Sequence, residues 1–204
     1  MKALAVALLV AAVAACGQSA SSFSPTGPCT VDGRAAASYL ELEALVPRDI
    51  AGEPADTIDS GRNCSDRALG TLRTRGITEV RFAGATWDQG DGDGTVVAVF
   101  ETPAGQPPLE ASWIEEFYQA GAVTSSKTDN TRVTRPSIGA AGTVYRLDTL
   151  NDLSQQTVVV LPGTPQVRVV IVATRVDPNA SRADHDARVE AAVAAAVSPG
   201  PDGS

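Results

Sequence analysis

A stretch rich in aspartate and glycine, WDQGDGDGTVVAVFE from Trp87 to Glu101, contains the residue types of a calcium loop. The helical calcium loop takes ligands from positions 1, 3 and 5, glycine at position 6 and a bidentate glutamate at position 12. Placing Asp91 at position 3 and Asp93 at position 5 leaves an apolar residue at position 12, one residue before Glu101. The flanks have the composition of strands, and Asp-Gly repeats suit a tight turn. We therefore predict a β-hairpin, with a non-helical metal site on Asp88, Asp91 and Asp93 as the alternative.

A second cluster that could do chemistry is basic. Four arginines, Arg62, Arg67, Arg73 and Arg75, fall within a short stretch of an otherwise acidic chain. Guanidinium groups form strong hydrogen bonds with carboxylates and phosphates. These arginines are therefore a candidate site for lipid headgroups, other polyanions or a carboxylate of a partner. The alternative is a solvated helix face along which the arginines are merely spaced.

The chain has one histidine, His185, which lies between Asp184 and Asp186 near the start of the last predicted helix. We expect it on the exposed side of that helix. A nucleophilic role for Cys64 would require a histidine base, and no motif links Cys64 to His185. The nucleophile-elbow, zinc-protease and phosphate-loop motifs are also missing from the sequence. We therefore assign no catalytic residue and no cofactor.

The N-terminus, MKALAVALLVAAVAACG, has the layout of an export signal. Lys2 supplies a positive start, and the apolar run from Ala3 to Val13 is too short to span a bilayer as a helix. The last part, Val13-Ala14-Ala15-Cys16, resembles the lipobox of bacterial lipoproteins. This resemblance implies a signal peptide over residues 1–15 and a diacylglyceryl group on Cys16, whose two acyl chains would anchor the chain to the membrane. The alternative is an ordinary cleaved signal with a cysteine near its cleavage site.

The compartment expected from the export signal indicates the state of the cysteines outside the lipobox. Residues 16–28 continue from the lipidated cysteine into an uncharged sequence rich in Ser, Gly and Pro, which we interpret as a flexible tether. Cys29 and Cys64 remain as an even pair, and outside the cytoplasm such a pair forms a disulfide by default. A reactive thiol at Cys64 is the alternative. The expected location is the extracytoplasmic face of the cell membrane.

Residues 29–198 are predicted to form a single domain in which helices and strands alternate, followed by a disordered tail over residues 199–204. The predicted helices run from Asp32 to just before Pro47, from Ser65 or Asp66 to about Gly76, over residues 109–122, and from Ser181 to Val197 with a capping pair Ser181 and Asp184. The predicted strands are Ile77–Trp87, Thr95–Thr102 and residues 143–150, 156–161 and 166–174.

This order predicts an α+β fold, an antiparallel sheet packed on helices in two layers. The aromatic stripe of the helix containing WIEEFY is expected to lie against the sheet, or alternatively to line a ligand pocket. In element order and in that helix, residues 77–197 resemble the Mog1/PsbP-like fold of some actinobacterial lipoproteins. A fold of this kind does not fix a function.

Charge and composition narrow the functional classes. The net charge of -8 argues against nucleic acid as a partner, because phosphate binding needs a concentrated basic surface. We expect a membrane-anchored, non-enzymatic module that binds an envelope ligand or protein or supports an assembly. The alternative is an envelope enzyme, or an enzyme accessory, with a site built from carboxylates or hydroxyls. An enzyme should show a pocket where titratable groups converge, whereas a binding module should show an exposed apolar patch or groove.

Overall fold

The computed structural model describes residues 23–125, 128, 130–150, 154–176 and 182–198. The lipobox, the start of the tether, Ser181 with its predicted capping role and the C-terminal tail lie outside these residues. The strands are β1 (Gly33–Ala35), β2 (Asp49–Ile50), β3 (Glu53–Pro54), β4 (Thr57–Asn63), β5 (Val80–Gly90), β6 (Asp93–Glu101), β7 (Asn130–Thr134), β8 (Ser137–Ile138), β9 (Gly142–Thr143), β10 (Tyr145–Leu150), β11 (Ser154–Leu161) and β12 (Val167–Arg175). The α-helices are α1 (Leu40–Glu43), α2 (Asp66–Leu69), α3 (Ala111–Thr124) and α4 (Arg182–Val197), with 3₁₀ turns at Gly70–Arg75 and Gly139–Ala141.

Within the described residues, eight strands form one antiparallel sheet in the order β1-β4-β5-β6-β12-β11-β10-β7. Each half is a meander, and the two halves join where β6 pairs with β12 at the centre. The remaining four short strands form two separate two-stranded ladders. The α+β class and the antiparallel sheet predicted from the sequence are confirmed.

The sheet is covered by helices on both faces, so the predicted two-layer packing is wrong. Neighbouring residues of β5 point into different cores: Phe82 packs with Tyr118 of α3, whereas Ala83 packs with Val189 of α4. The short helix α1 adds Leu42 to the second core. Strands buried on both sides are apolar at successive positions and not at alternate ones. The run from Val96 to Phe100, which is buried throughout, is an example. The described residues therefore form three layers.

The local structure follows side-chain chemistry in most places. The predicted hairpin is confirmed: β5 and β6 are joined by Asp91 and Gly92, both with positive φ (53° and 91°). Ser65 caps α2 by accepting a hydrogen bond from the Ala68 amide. The aromatic helix α3 packs against the sheet, with Tyr118 buried. None of the helices in the described part of the chain is both long and apolar enough to cross a membrane.

One predicted helix is largely absent. Asp32 was expected to cap a helix reaching almost to Pro47, but α1 spans only Leu40–Glu43. The Asp32 carboxylate instead accepts hydrogen bonds from the backbone N–H groups of Cys64 and Ser65, at 2.6 and 2.8 Å. A cap can serve only the amides that it reaches, so this long-range contact removes the predicted helix start.

Candidate functional site

An open cleft of about 140 Å³ lies at the end of the sheet where the β5–β6 turn meets the end of β12 and the start of α4. We call it the distal cleft. Its polar lining includes Gln155 and Thr174 from neighbouring strands and the cationic side chains Arg182 and Arg188 from α4. Two partly exposed apolar side chains, Leu150 and Val176, also line it. Asp93 and Asp184 line it as well, so the cleft combines guanidinium groups, carboxylates, a hydroxyl and a small apolar rim.

A chain of hydrogen bonds runs from the cleft into the protein. We call its four members, Thr174, His185, Thr157 and Asp148, the His185 relay. Thr174 Oγ1 lies 2.8 Å from His185 Nδ1. His185 Nε2 lies 2.7 Å from Thr157 Oγ1, which donates to Asp148 Oδ1 at 2.6 Å. Thr174 and His185 line the distal cleft, and Thr157 and Asp148 continue the chain of hydrogen bonds into the protein.

The direction of each hydrogen bond in the relay follows from counting protons. A threonine hydroxyl has one hydrogen, and that of Thr157 is directed to the Asp148 carboxylate. His185 Nε2 must therefore carry a hydrogen and donate it to Thr157. A neutral imidazole then has a bare Nδ1, which accepts the hydrogen of Thr174. The Thr174 oxygen keeps both of its lone pairs, because it donates to the imidazole and does not accept from it.

His185 is buried, with 3% of its surface exposed, so the expectation of an exposed histidine is wrong. It shares a helix face with Val189 and Ala192, three and four residues apart along α4, and all three are buried. Burial lowers the pKa of His185, and the nearby positive charge of Arg146 lowers it further. The imidazole is therefore neutral near pH 7, as the proton count requires.

The acidic side of the relay is held by arginines. Arg146 Nε donates to Asp148 Oδ1 at 2.8 Å, and its Nη2 donates to Asp186. Arg182 adds weaker pairs with Asp148 at 3.5 Å and with Asp186 at 3.7 Å. These contacts fix the carboxylate that orients the relay.

The aspartates of the candidate calcium loop are engaged with protein groups. Asp88 Oδ1 accepts from the Gly90 amide at 2.9 Å, within the turn. Asp93 accepts from the backbone N–H of Arg175 at 2.6 Å and from Arg188 at 3.4 Å. Asp91 lies 3.9 Å from the Arg175 guanidinium. Across the described ranges, no group of three or more His, Cys, Asp or Glu side chains is arranged to hold a metal.

The four arginines of the candidate anion site turn to different partners. Arg73 pairs with Asp66 at 2.8 Å. Arg75 pairs with Glu116 at 2.7 Å and lies over the Trp113 ring. Arg67 is exposed on α2, whereas Arg62 is buried. The structure does not direct the four guanidinium groups to one point.

The segment that leads into the domain is fastened to it by Arg62. The guanidinium donates to the carbonyls of Gly27 at 2.9 Å, Ser24 at 2.8 Å and Pro28 at 3.1 Å. The Tyr39 hydroxyl donates to the Pro25 carbonyl at 3.1 Å. We call these contacts the Arg62 clasp. Residues 24–28, assigned to the tether from the sequence, are thus docked on the domain and not free.

The predicted disulfide is present beside the clasp. Cys29 follows Pro28 directly and is bonded to Cys64, with their Cα atoms 6.0 Å apart. Cys64 lies two residues after Arg62 and directly follows the last residue of β4. The same short region of β4 therefore holds the incoming chain by hydrogen bonds and by a covalent bond.

The Arg62 clasp and the distal cleft lie at opposite ends of β5. Arg62 pairs with Arg81 at the start of that strand, whereas Asp93 of the cleft pairs with Gly90 at its end. Gly90 lies nine positions after Arg81 along the strand, a distance of roughly 30 Å. The chain therefore enters the domain at one end of the sheet and the cleft opens at the other.

Sequence patterns did not reveal the relay, because its members are distant in sequence. A weak signal exists: Asp148 and Thr157 are polar residues inside apolar strands, and both are buried. A buried polar residue in such a strand needs a partner.

Comparison with protein-family models, curated proteins and solved structures finds no match for this chain.

Proposed function

We propose that the chain is an exported envelope protein, anchored by lipid on Cys16 to the extracytoplasmic face of the cell membrane, whose domain binds a ligand or protein partner in the distal cleft. The observation that carries this proposal is the placement of the Arg62 clasp and the cleft at opposite ends of β5. A chain anchored through its N-terminal segment would hold the clasp end near the membrane. The cleft would then face away from it.

Two further observations support the proposal. A disulfide between Cys29 and Cys64 fits an oxidising compartment. The cleft has the mixed lining of a binding site, since Arg182 and Arg188 supply donors and Leu150 and Val176 supply apolar contact. Because Asp93 and Asp184 also line the cleft, a ligand that carries both hydrogen-bond acceptors and donors and a small apolar part matches this lining.

Native mass spectrometry of the full chain, purified in detergent from its own envelope, tests the proposal. We expect a mass that begins at Cys16 with a diacylglyceryl group, and a bound molecule that is lost in Gln155→Ala. Thr131→Ala, on the exposed surface of β7, is the control and should retain the molecule. An unmodified Cys16 would overturn the anchor. Equal retention in Gln155→Ala, or no bound molecule at all, would overturn binding in the cleft.

The second candidate function is an envelope enzyme that uses a hydroxyl. The hydrogen bond of 2.8 Å between Thr174 and His185, at the base of an open cleft, favours it. A hydroxyl paired with a histidine that is itself oriented by a third group is the arrangement that activates a nucleophile.

A further inference from the structure

We propose that Thr174 is a nucleophile and His185 its general base, and that the distal cleft takes an acyl ester as substrate. This inference rests on ligand access to the distal cleft, which is part of the proposed function, and does not depend on the lipid anchor. It assigns a catalytic role to a hydroxyl that carries no sequence motif.

The proton inventory of the relay supports this assignment. The Thr174 hydrogen is already directed to Nδ1 of a neutral imidazole, and Nε2 of the same ring donates toward Thr157 and Asp148. A nucleophile, a base and an orienting carboxylate are the three parts of a hydroxyl-based acyl-transfer site. Here Thr157 lies between the base and the carboxylate and relays the orientation.

The exposure of Thr174 distinguishes the His185 relay from a polar network that only stabilises the core. Asp148, Thr157 and His185 are buried, whereas Thr174 is partly exposed and lines the cleft. The relay thus begins at solvent and ends inside the protein. Burying polar groups costs free energy, which an apolar residue at each buried position would avoid. We therefore infer that the four polar side chains serve a chemical function in the cleft that they reach.

The reaction can be written with all atoms placed. Thr174 Oγ1 forms a bond to the carbonyl carbon of the ester, and its proton passes to His185 Nδ1. The leaving alkoxide takes that proton as its bond to the acyl carbon breaks. Water then attacks the acyl-threonine and gives a proton to Nδ1, which returns it to the Thr174 oxygen as the acid leaves. Arg182 and Arg188 line the same cleft; each also pairs with a carboxylate, and they are the cationic donors proposed for the developing oxyanion.

A fluorophosphonate probe tests the nucleophile directly, because its phosphorus bonds to an activated hydroxyl oxygen while fluoride leaves. The full chain is treated with the probe and digested, and the adduct is located by mass spectrometry. We expect the adduct on Thr174, retained in Thr174→Ser and absent in Thr174→Val. Thr131→Val is the matched control on the exposed part of β7 and should label as the unchanged chain does.

The base is tested by His185→Gln, which keeps hydrogen-bonding groups near both ring nitrogens. We expect labelling and hydrolysis of p-nitrophenyl acetate to be slower by at least about 100-fold, the usual contribution of a general base. Circular dichroism and thermal unfolding show whether each variant is folded. A folded His185→Gln that labels at the original rate, or a folded chain without an adduct on Thr174, overturns the proposal. A bound molecule retained without any adduct leaves cleft binding intact and removes only the catalytic role.

Discussion

Arg62 is a buried cation whose hydrogen bonds go to the polypeptide backbone. Its side chain is 4% exposed, and its two terminal nitrogens donate to three carbonyls of residues 24–28. Glu79 lies 3.7 Å away and supplies the nearest negative charge. A buried charge is tolerated when it is paired and hydrogen-bonded. Arg62 therefore acts as a structural clasp on the segment that the sequence assigns to the tether.

Replacing Arg62 with Met should release this segment. Hydrogen bonds to charged groups contribute about 1.5–3 kcal/mol each, but the freed carbonyls can bind water, so we expect a loss of about 2–4 kcal/mol in the free energy of unfolding. Urea unfolding measures the loss, and limited proteolysis should cut faster within residues 23–28. Arg67→Met, at an exposed position of α2, is the control. Equal stability and equal cleavage in both variants would contradict the clasp.

His185 should make stability depend on pH in a predictable direction. Burial lowers its pKa, as does Arg146, while Asp186 and Asp148 oppose this shift and Arg182 adds to it. Since the pKa in the folded state lies below the ordinary value of about 6.5, the unfolded chain takes up a proton first as the pH falls. Stability is therefore full above about pH 6.5 and declines below it, by at most about 1.4 kcal/mol per pH unit.

Urea unfolding at several values between pH 7 and pH 5 measures this decline. As the only histidine of the chain, His185 is the group whose ordinary pKa falls in that window. The decline in stability should be smaller in His185→Gln. In the parent chain, the NMR resonance of the imidazole should report the lowered pKa directly. The same pH dependence in both proteins would show that the imidazole is not held neutral by its surroundings.

The sequence predicts the partner of a single residue when the residue type itself implies that partner. Cys29 and Cys64 were paired correctly, because they are the two cysteines that follow Cys16 and so leave one possible pair. The environments of Arg62 and His185 were not predicted, because an arginine or histidine can bond to many groups. Their partners come from distant parts of the chain. Helical spacing from Val189 could have indicated that His185 is buried.

The β5–β6 hairpin shows how one element decides between two interpretations of the same residues. Asp91 and Gly92 both have positive φ, as a two-residue turn of type I′ requires. Gly92→Val should lower the free energy of unfolding by about 1–3 kcal/mol, because a branched residue is strained in that conformation. Asp91→Asn should be nearly neutral, since asparagine tolerates positive φ.

If the same residues formed a metal site, calcium would raise the melting temperature, whereas a hairpin turn predicts no effect of calcium. Calcium should leave the melting temperature unchanged in both the parent chain and Asp91→Asn, because Asp93 is already bonded to a backbone amide and to Arg188. Thermal unfolding with millimolar calcium and with a chelator makes the comparison. A calcium-dependent rise that Asp91→Asn abolishes would restore the metal interpretation.

Elements with strong periodicity were predicted well and those that depend on distant contacts were not. The aromatic stripe around WIEEFY indicated α3, and the apolar runs indicated β6, β11 and β12 within a few residues. The helix expected after Asp32 failed because that carboxylate serves the amides of Cys64 and Ser65. A capping residue in a sequence does not reveal which amides it will reach.

At the scale of the whole molecule, the described part of the chain has one more layer than expected, and the strands give the reason. Residues 158–161 of β11 and 169–173 of β12 are buried without interruption. Such runs cannot belong to a sheet with one solvent-exposed face, because alternate residues would then be polar. Helix α4 covers the face opposite α3, with Val189 and Val193 in its contact. Apolar runs predict strands in either arrangement, and it is their lack of polar alternation that indicates a sheet covered on both faces.

This layering bears on what the disulfide does for the molecule. The cross-link joins the incoming segment to the end of β4, beside the edge strand β1, and closes a loop over residues 29–64. Most of the two cores lies on β5, β6, β11 and β12, outside that loop. The central sheet should therefore form without the bond. The bond should act mainly on the unfolded chain, for which a loop of this length corresponds to about 4 kcal/mol.

The double variant Cys29→Ser/Cys64→Ser tests this division. We expect a folded protein with the same far-ultraviolet circular dichroism, a free energy of unfolding lower by about 4 kcal/mol, and faster proteolysis of the segment held by the clasp. Combining it with Arg62→Met should cost less than the sum of the separate losses, because both contacts hold the same segment. Reduction of the parent chain by dithiothreitol should reproduce the double variant. A double variant that fails to fold would show that the cross-link supports the central sheet itself and not only its N-terminal edge.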